Sequence, residues 1–349
     1  MQKVTLKQIA AHSGVSISTV SKVINGNDIK SASPETAEKI LASAKALGYQ
    51  IGNGNNPSGF GNRIGVVLCS YIADKYTHTY YSKLYRYLET ELHKHDCVID
   101  FYYTLPEILN STVIKNEILT SGAEALILID GFAEFPIPEV KAHFRYLLDI
   151  SLQEIDNAVN DTIIMEIYQA TRRIINQLIE AGRTHIFFTS GDESIGLFGP
   201  ATRPGSNSYY DARTRAYVDE LAAHGIPVDK KLFHMSEQWS YLPSYNQLRE
   251  LLKSGCQIDA IFAADDSLSI ACYKALIDCG VRIPEEIALV GFDDVPDNFL
   301  ADHKISSLSV PKEEIAQTAV ELLLARMQGR FSHPLKVSVP ISFISRDTF

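Results

Sequence analysis

The chain has 349 residues, 46% hydrophobic and 21% charged, an ordinary globular composition that is too long for one compact domain and predicts a small domain beside a larger or divided one. No apolar run approaches the ~20 residues of a membrane span, and the opening MQKVTLKQIA lacks the apolar stretch of a secretory signal, so a cytoplasmic protein is expected. The net charge of −10 weighs against a nucleic-acid partner until its distribution is read: residues 1 to 63 carry seven Lys/Arg against three acids, a net of +4, which leaves −14 on the remainder. A basic head on an acidic body steers one end toward phosphate and keeps the other away from it.

Thr5-Leu-Lys-Gln8 reads as a capping box, with Val4 and Ile9 in the staple positions, and predicts a first helix over about 6–11 that buries Leu6, Ile9 and Ala10. His12-Ser13-Gly14-Val15 follows, and Gly14 supplies the positive φ of a tight turn between helices. Ser16 caps a second helix over about 17–25, with Val15 and Val20 as a second staple. Val20, Val23 and Ile24 share its inner face, and Ile17, Ser18, Ser21, Lys22 and Asn25 share the outer one. Ser33-Pro34-Glu35 opens a third helix that ends at Gly48.

The segments VTLKQIAAHSGVSISTVSKVINGN and SPETAEKILASAKALGY resemble the DNA-binding head of the lactose-repressor (LacI/GalR) family, whose core pattern GVSxxTVSxVxN they contain. By that resemblance residues 1–49 form a helix-turn-helix domain whose second helix enters the major groove of double-stranded operator DNA. It implies that Ile17, Ser18 and Lys22 reach base edges and that Thr5, Ser16, Thr19, Ser21 and Asn25 touch phosphates, which orient without specifying. Lys22 stands where the family often has arginine, so it reads guanine as a single charge rather than as a bidentate fork.

Residues 50–62, QIGNGNNPSGFGN, are rich in Gly, Asn, Pro and Ser and mark a linker. Many family members carry a hinge helix here that wedges a leucine into the minor groove. This stretch has no leucine, so a flexible tether is expected, with Phe60 as a wedge the alternative.

From Ile64 onward, short apolar runs alternate with helical stretches: IGVVLC, then 81–95; CVIDFYY; ALILID; YLLDI; 162–181; HIFFTS; 213–224; AIFAAD; 268–279; IALVGFDD. That alternation predicts parallel α/β architecture. GxSxG, GxxxxGK[ST] and HExxH are missing, as is a GxGxxG that opens a helix after a strand, which weighs against an enzyme and gives no catalytic residues. Five cysteines without a CxxC pair and ten scattered histidines predict free thiols, no metal site and no cofactor.

EAGRTHIFFTSGD, GVRIPEEIALVGFDD and the closing VPISFISRDTF resemble the same family's effector domain. The resemblance implies a two-lobed, periplasmic-binding-protein-like body over 63–349, with one lobe at about 63–150 and 308–330 and the other at about 151–307 and 331–349. It also implies a homodimer, with helices after Tyr81 and over 268–279 as candidate dimer faces, and a small-molecule effector between the lobes. The effector-binding residues it implies are Tyr71, Tyr80, Tyr81, Asp149, Arg213 (Arg215 if the register shifts), Trp239, Asp265 with Asp266 beside it, and Asp293. Carboxylates and a guanidinium exchange hydrogen bonds with vicinal hydroxyls and aromatic faces cover a sugar's apolar side, so a carbohydrate is expected, with a non-sugar metabolite or a sugar-metabolising α/β protein as alternatives. IDNAVND, FFTSGDE and DARTRAY resemble the branch that represses evolved β-galactosidase genes, which implies a galactoside. The stretch 195–210 has no counterpart in that pattern, and no leucine heptads for a tetramer follow the last strand.

Overall fold

The structure is a computed structural model that describes residues 5–24, six positions between 33 and 47, and 62–349 except 70–74, 77, 131–136, 153–158, 193–211, 238 and 296–303. The side chains of residues 6, 18, 21, 22, 24, 192 and 237 also lie outside the description, as do Phe60 with most of the linker, and the stretch 195–210.

In the head, helix α1 (Leu6–Ser13) and helix α2 (Ile17–Ile24) meet at Gly14, which caps α1 in the left-handed region at φ 71°. α1 runs two residues past its predicted end because Ser13 folds its hydroxyl back onto the Ile9 carbonyl at 2.7 Å while the Gly14 N–H reaches Ala10 O at 2.9 Å. Ile9, Ala10, Val20 and Ile40 form the core of the head, so the third helical stretch closes over the first two.

The body holds two six-stranded sheets. The first takes β1 (Arg63–Leu68), β2 (Val98–Thr104), β3 (Ala125–Ile129), β4 (Tyr146–Ser151), β5 (Asp161–Met165) and, from late in the chain, β11 (Lys336–Val339), in the order β11-β5-β4-β3-β1-β2. The second takes β6 (Ile186–Asp192), β7 (Phe233–Glu237), β8 (Ala260–Ala263), β9 (Ala288–Asp293), β10 (Ser306–Ser309) and β12 (Ser342–Ile344), in the order β12-β10-β9-β8-β6-β7. Among the described residues the strand pairs are parallel except β10 with β12. The two halves therefore repeat one wiring: the first strand lies between the second and third, and the fourth and fifth follow outward.

Helices α3 (Thr79–Lys94) and α11 (Lys312–Met327) pack together on one face of the first sheet, while α4 (Leu105–Asn110), α5 (Thr112–Leu119) and α6 (Pro138–His143) cover the other. Around the second sheet, α7 (Ile167–Glu180) and α8 (Ala212–Ala223) form one layer, and α9 (Tyr241–Lys253) and α10 (Asp266–Asp278) the other. One continuous core joins the α3/α11 layer to the α7/α8 layer, running through Met165, Ile167, Val310, Val339 and Ile341. These residues mark three crossovers, at 165–167, 309–312 and 339–342, where the chain passes between sheets.

The division differs from the sequence expectation. Residues 162–165, read as the start of a helix, form β5, because the run DTIIM is buried at every position and pairs on both edges, with β4 and β11. A short apolar run cannot by itself distinguish a buried strand from a helix start. The first lobe therefore takes β5 and β11, expected in the second, and the second lobe holds β10.

Candidate functional site

In each sheet the strand order reverses beside the first strand, at β1/β3 and at β6/β8, and in open parallel sheets ligands bind outside the carboxyl ends at such points. Cys69 and Asp130 follow β1 and β3; Ala264 and Asp265 follow β8.

From the second lobe, α8 delivers Arg213, which is buried. Its Nη1 donates to Ala264 O at 2.8 Å, and its guanidinium carbon lies 4.5 Å from the Trp239 ring and 5.2 Å from the Phe292 ring. Arg215, the alternative, lies 4.8 Å over the Tyr168 ring instead. Trp239 sits at φ 56°, and its indole lies so close over Gly191 that a Cβ there would come within 2.2 Å of the ring. Only glycine at 191 admits the tryptophan that orients the arginine.

Asp265 caps α10 by accepting from the Leu268 N–H at 2.7 Å, and burial pushes its carboxyl up to about 7, against the pull of that hydrogen bond. Asp266 accepts from the Val295 N–H at 2.5 Å and from the Ser307 hydroxyl at 3.2 Å, a structural staple across the ends of three segments. Asp293, at φ 90°, is buried and its carboxyl is raised by burial, with Lys312 and Arg213 opposing.

From the first lobe, α3 delivers His78, Tyr80 and Tyr81. The Tyr81 hydroxyl donates to Asp130 Oδ2, while the Tyr80 hydroxyl donates to Met165 Sδ at 3.4 Å. The His78 ring lies 4.7 Å from that of Tyr81. Its Nδ1 is buried without a hydrogen-bond partner, and burial, then the Arg213 charge, brings its pKa down to about 4. Asp149 lies within β4 rather than at its end; its Oδ2 accepts from Asn160 Nδ2 at 2.9 Å, its Oδ1 has no hydrogen-bond partner, and burial pushes its carboxyl up to about 6. Burial also raises the Cys69 thiol, with the charges of Asp130 and Asp149 adding.

The two lobes face each other through these groups: Arg213 acts on His78 and Tyr80, and Asp293 on Tyr80. Lys312, buried at the second crossover, donates to the Asp293 and Val310 carbonyls while its ammonium stands 5.3 Å over the Tyr80 ring. Tyr80, Tyr81, Arg213, Trp239, Asp265 and Asp293 thus converge, Asp149 lies near the first-lobe end, and Tyr71 lies outside the described residues. Sequence reading missed His78, Asp130, Phe292 and Lys312; Asp130 closes the apolar run ALILID, and that terminal carboxylate was the available signal.

In the head, Thr5 donates to Gln8 Oε1 from its N–H at 2.7 Å and from its hydroxyl at 3.0 Å, the reach-back half of the predicted box. Ser16 Oγ accepts from the Thr19 N–H at 3.1 Å and lies 2.7 Å from the Thr19 hydroxyl, so both residues shape the start of α2. Ile17 is 48% exposed at that start, an outward apolar group with no role in the core. Asn25 and the side chains of Ser18, Ser21 and Lys22 lie outside the described residues.

A helix-turn-helix head and two wound α/β lobes define the class: a DNA-binding regulator with a periplasmic-binding-protein-like body. The description "Bacterial regulatory proteins, lacI family" matches residues 5–51, and "Periplasmic binding protein-like domain" matches 175–349. The chain belongs to the lacI family of transcriptional regulators. It is 24% identical to the "HTH-type transcriptional repressor MelR" of Bacillus subtilis (strain 168), over 99% of this chain and 97% of that protein. It is 25% identical to the "HTH-type transcriptional regulator AscG" of Escherichia coli (strain K12), over 95% and 94%. Among solved structures, the "transcriptional regulator CelR-cellobiose complex" superposes with a TM-score of 0.67 at 22% identity, covering 99% of this chain and 100% of that one. The Lac repressor bound to ONPG superposes with a TM-score of 0.65 at 21% identity, with full coverage of both chains. These likenesses establish the fold. Among the described residues, no helix is long and apolar enough to cross a membrane, and no cluster of His, Cys, Asp or Glu could hold a metal ion.

Proposed function

We propose that this regulator is a homodimeric repressor whose affinity for a pseudopalindromic operator is set by a small carbohydrate held between the lobes. The observation that carries the reading is the facing arrangement of Tyr81, Asp130 and His78 with Arg213, Asp265 and Asp293, acceptors and donors suited to vicinal hydroxyls. Closure of the lobes on the sugar moves the first lobe, and with it the attached heads, between two spacings; this is a population shift worth about 1–3 kcal/mol. Release of DNA by the effector is the expected direction. The protein acts by binding rather than turnover, and is expected to stay in the cytoplasm with its operator. A galactoside heads the list of sugars to try, because of the branch resemblance in DARTRAY and its neighbours.

The domain assignment, 1–49 for DNA, 50–62 as linker and 63–349 for effector and dimer, is tested by deletion. Removing residues 1–60 should abolish operator binding in a mobility-shift assay and leave sugar binding in calorimetry intact; surviving operator affinity would overturn the division of roles. Within the head, Lys22→Ala should relax specificity at one base pair by about 1–3 kcal/mol, read by binding-site selection, with Ile17 and Ser18 as the neighbouring base contacts. Thr5, Ser16, Thr19, Ser21 and Asn25 should change affinity without changing sequence preference.

A further inference from the structure

We infer that Lys312 is a positioning residue that ties the effector-binding Asp293 of the second lobe to α3 of the first; this rests on the effector reading above. Lys312 stands where a lysine is least expected. It is the first residue of α11, at a helix end that favours anions and suits the next two residues, Glu313 and Glu314. It is also buried, and burial lowers the pKa of its ammonium, with Lys83 adding while Asp293, Asp266 and Asp294 oppose. A cation that meets both costs at once breaks the local rules of helix and core, and such breaks concentrate at functional positions.

What the ammonium holds accounts for the placement. It donates to the Asp293 carbonyl and, at 3.3 Å, to the Val310 carbonyl, and it stands 5.3 Å over the Tyr80 ring. Asp293 ends β9 at φ 90° and Asp294 follows at φ 53°, two successive non-glycine residues in the left-handed region. Such backbone persists only where its surroundings over-determine it. Among the described residues four contacts do so. Lys312 holds the Asp293 carbonyl, the Ser307 hydroxyl accepts from the Asp294 N–H at 3.3 Å, Arg346 Nη2 donates to Asp294 Oδ1 at 2.6 Å, and Asp266 Oδ2 accepts from the Val295 N–H at 2.5 Å. Ser307, Arg346 and Asp266 belong to the second lobe. Lys312 alone of the four comes from a helix that packs on the first sheet, against α3. The Asp293 carboxyl is thus aimed by a carbonyl that the first lobe pins, and the pin is anchored beside Tyr80. The chain enters the first lobe from the head side at β1, so a sugar that engages Asp293 acts through this lysine on the lobe that carries the head.

The test uses the full-length protein, calorimetric titration with galactose, lactose and cellobiose, and a mobility-shift assay on operator DNA obtained by binding-site selection. Lys312→Met keeps the apolar stem and removes the donors. It should weaken whichever of these sugars binds best by about tenfold to a hundredfold. The factor by which saturating sugar changes operator affinity should shrink severalfold in the same variant; an undiminished factor would overturn the tie to the first lobe. Asp293→Gly removes the carboxyl and relieves the left-handed strain together, so Lys312→Met added to it should cost at most about twofold more. Additive losses would mean that the lysine acts on the ligand or on the fold by itself, and would overturn the inference, as would an unchanged sugar affinity in Lys312→Met. If the melting curve shows that Lys312→Met does not fold, Lys312→Gln, which keeps N–H donors without the charge, should give a smaller loss with the same lack of additivity; no loss or an additive one overturns the inference equally. Each of these failures leaves the carbohydrate reading standing, whereas no binding of any of the three sugars to the unmodified protein would remove both.

Discussion

In the first lobe the strand order 2-1-3-4-5 and in the second the order 7-6-8-9-10 set the first strand of each half at the switch point, and in each a long helix, α3 or α8, follows that strand in sequence. The equivalent helix starts carry different chemistry. α3 brings an imidazole and two phenols, one of them bonded to Asp130; α8 brings a guanidinium held by a carbonyl and two aromatic rings. The strand ends differ as well: Asp265 commits an oxygen to capping α10, whereas Asp130 turns at positive φ toward Tyr81. A repeated backbone thus fixes where these side chains stand, and their chemistry differs from lobe to lobe. Lys312, at a crossover, touches both halves.

The sharpest way to break this comparison is to remove the second lobe's guanidinium. Arg213→Ala should cost about 2–5 kcal/mol of effector affinity, since it leaves buried acids without their counter-charge, and should spare operator affinity; an unaltered calorimetric titration would refute the placement. A smaller loss, about 1–3 kcal/mol, is expected from Gly191→Ala, whose new methyl would meet the Trp239 ring at 2.2 Å and displace it from Arg213. Because Trp239 is the only tryptophan, its fluorescence should shift in the same variant; an unchanged spectrum with unchanged affinity would separate the tryptophan from the site.

The smallest effect concerns pH. Asp265 is raised from 3.8 to about 7 by burial, so the stability it contributes as a neutral acid is complete below about pH 4 and is lost as pH climbs through 7. Asp265→Asn keeps a capping side chain and cannot ionise. Its melting temperature without effector should therefore exceed that of the unmodified protein at pH 8, and the difference should shrink toward pH 5. A constant difference would mean the carboxyl is not held up by burial.

Motifs at strand ends and helix starts were the legible part: resemblance in GFDD, FAADDS and DARTRAY pointed to Asp293, Asp265 and Arg213, and the structure brings these three within electrostatic reach of one another. Lys312 and His78 carried no such mark, since a lysine at a helix start and a histidine before a helix look the same on a solvated surface. What singles them out is packing that sets Lys312 beside Tyr80 and His78 within reach of Arg213, groups more than a hundred residues distant in sequence.

The amino-acid order alone determined the helix-turn-helix head, the alternation that makes a parallel α/β body, and most of the polar residues near the cleft, because caps, turns and apolar periodicity act over a few residues. Only the tertiary structure decided that 162–165 is a strand, that β5 and β11 belong to the first lobe, and that Lys312 and His78 stand beside groups of the other half. Those outcomes depend on which edges and carbonyls are brought together across the fold, and such long-range pairing leaves no local pattern to read.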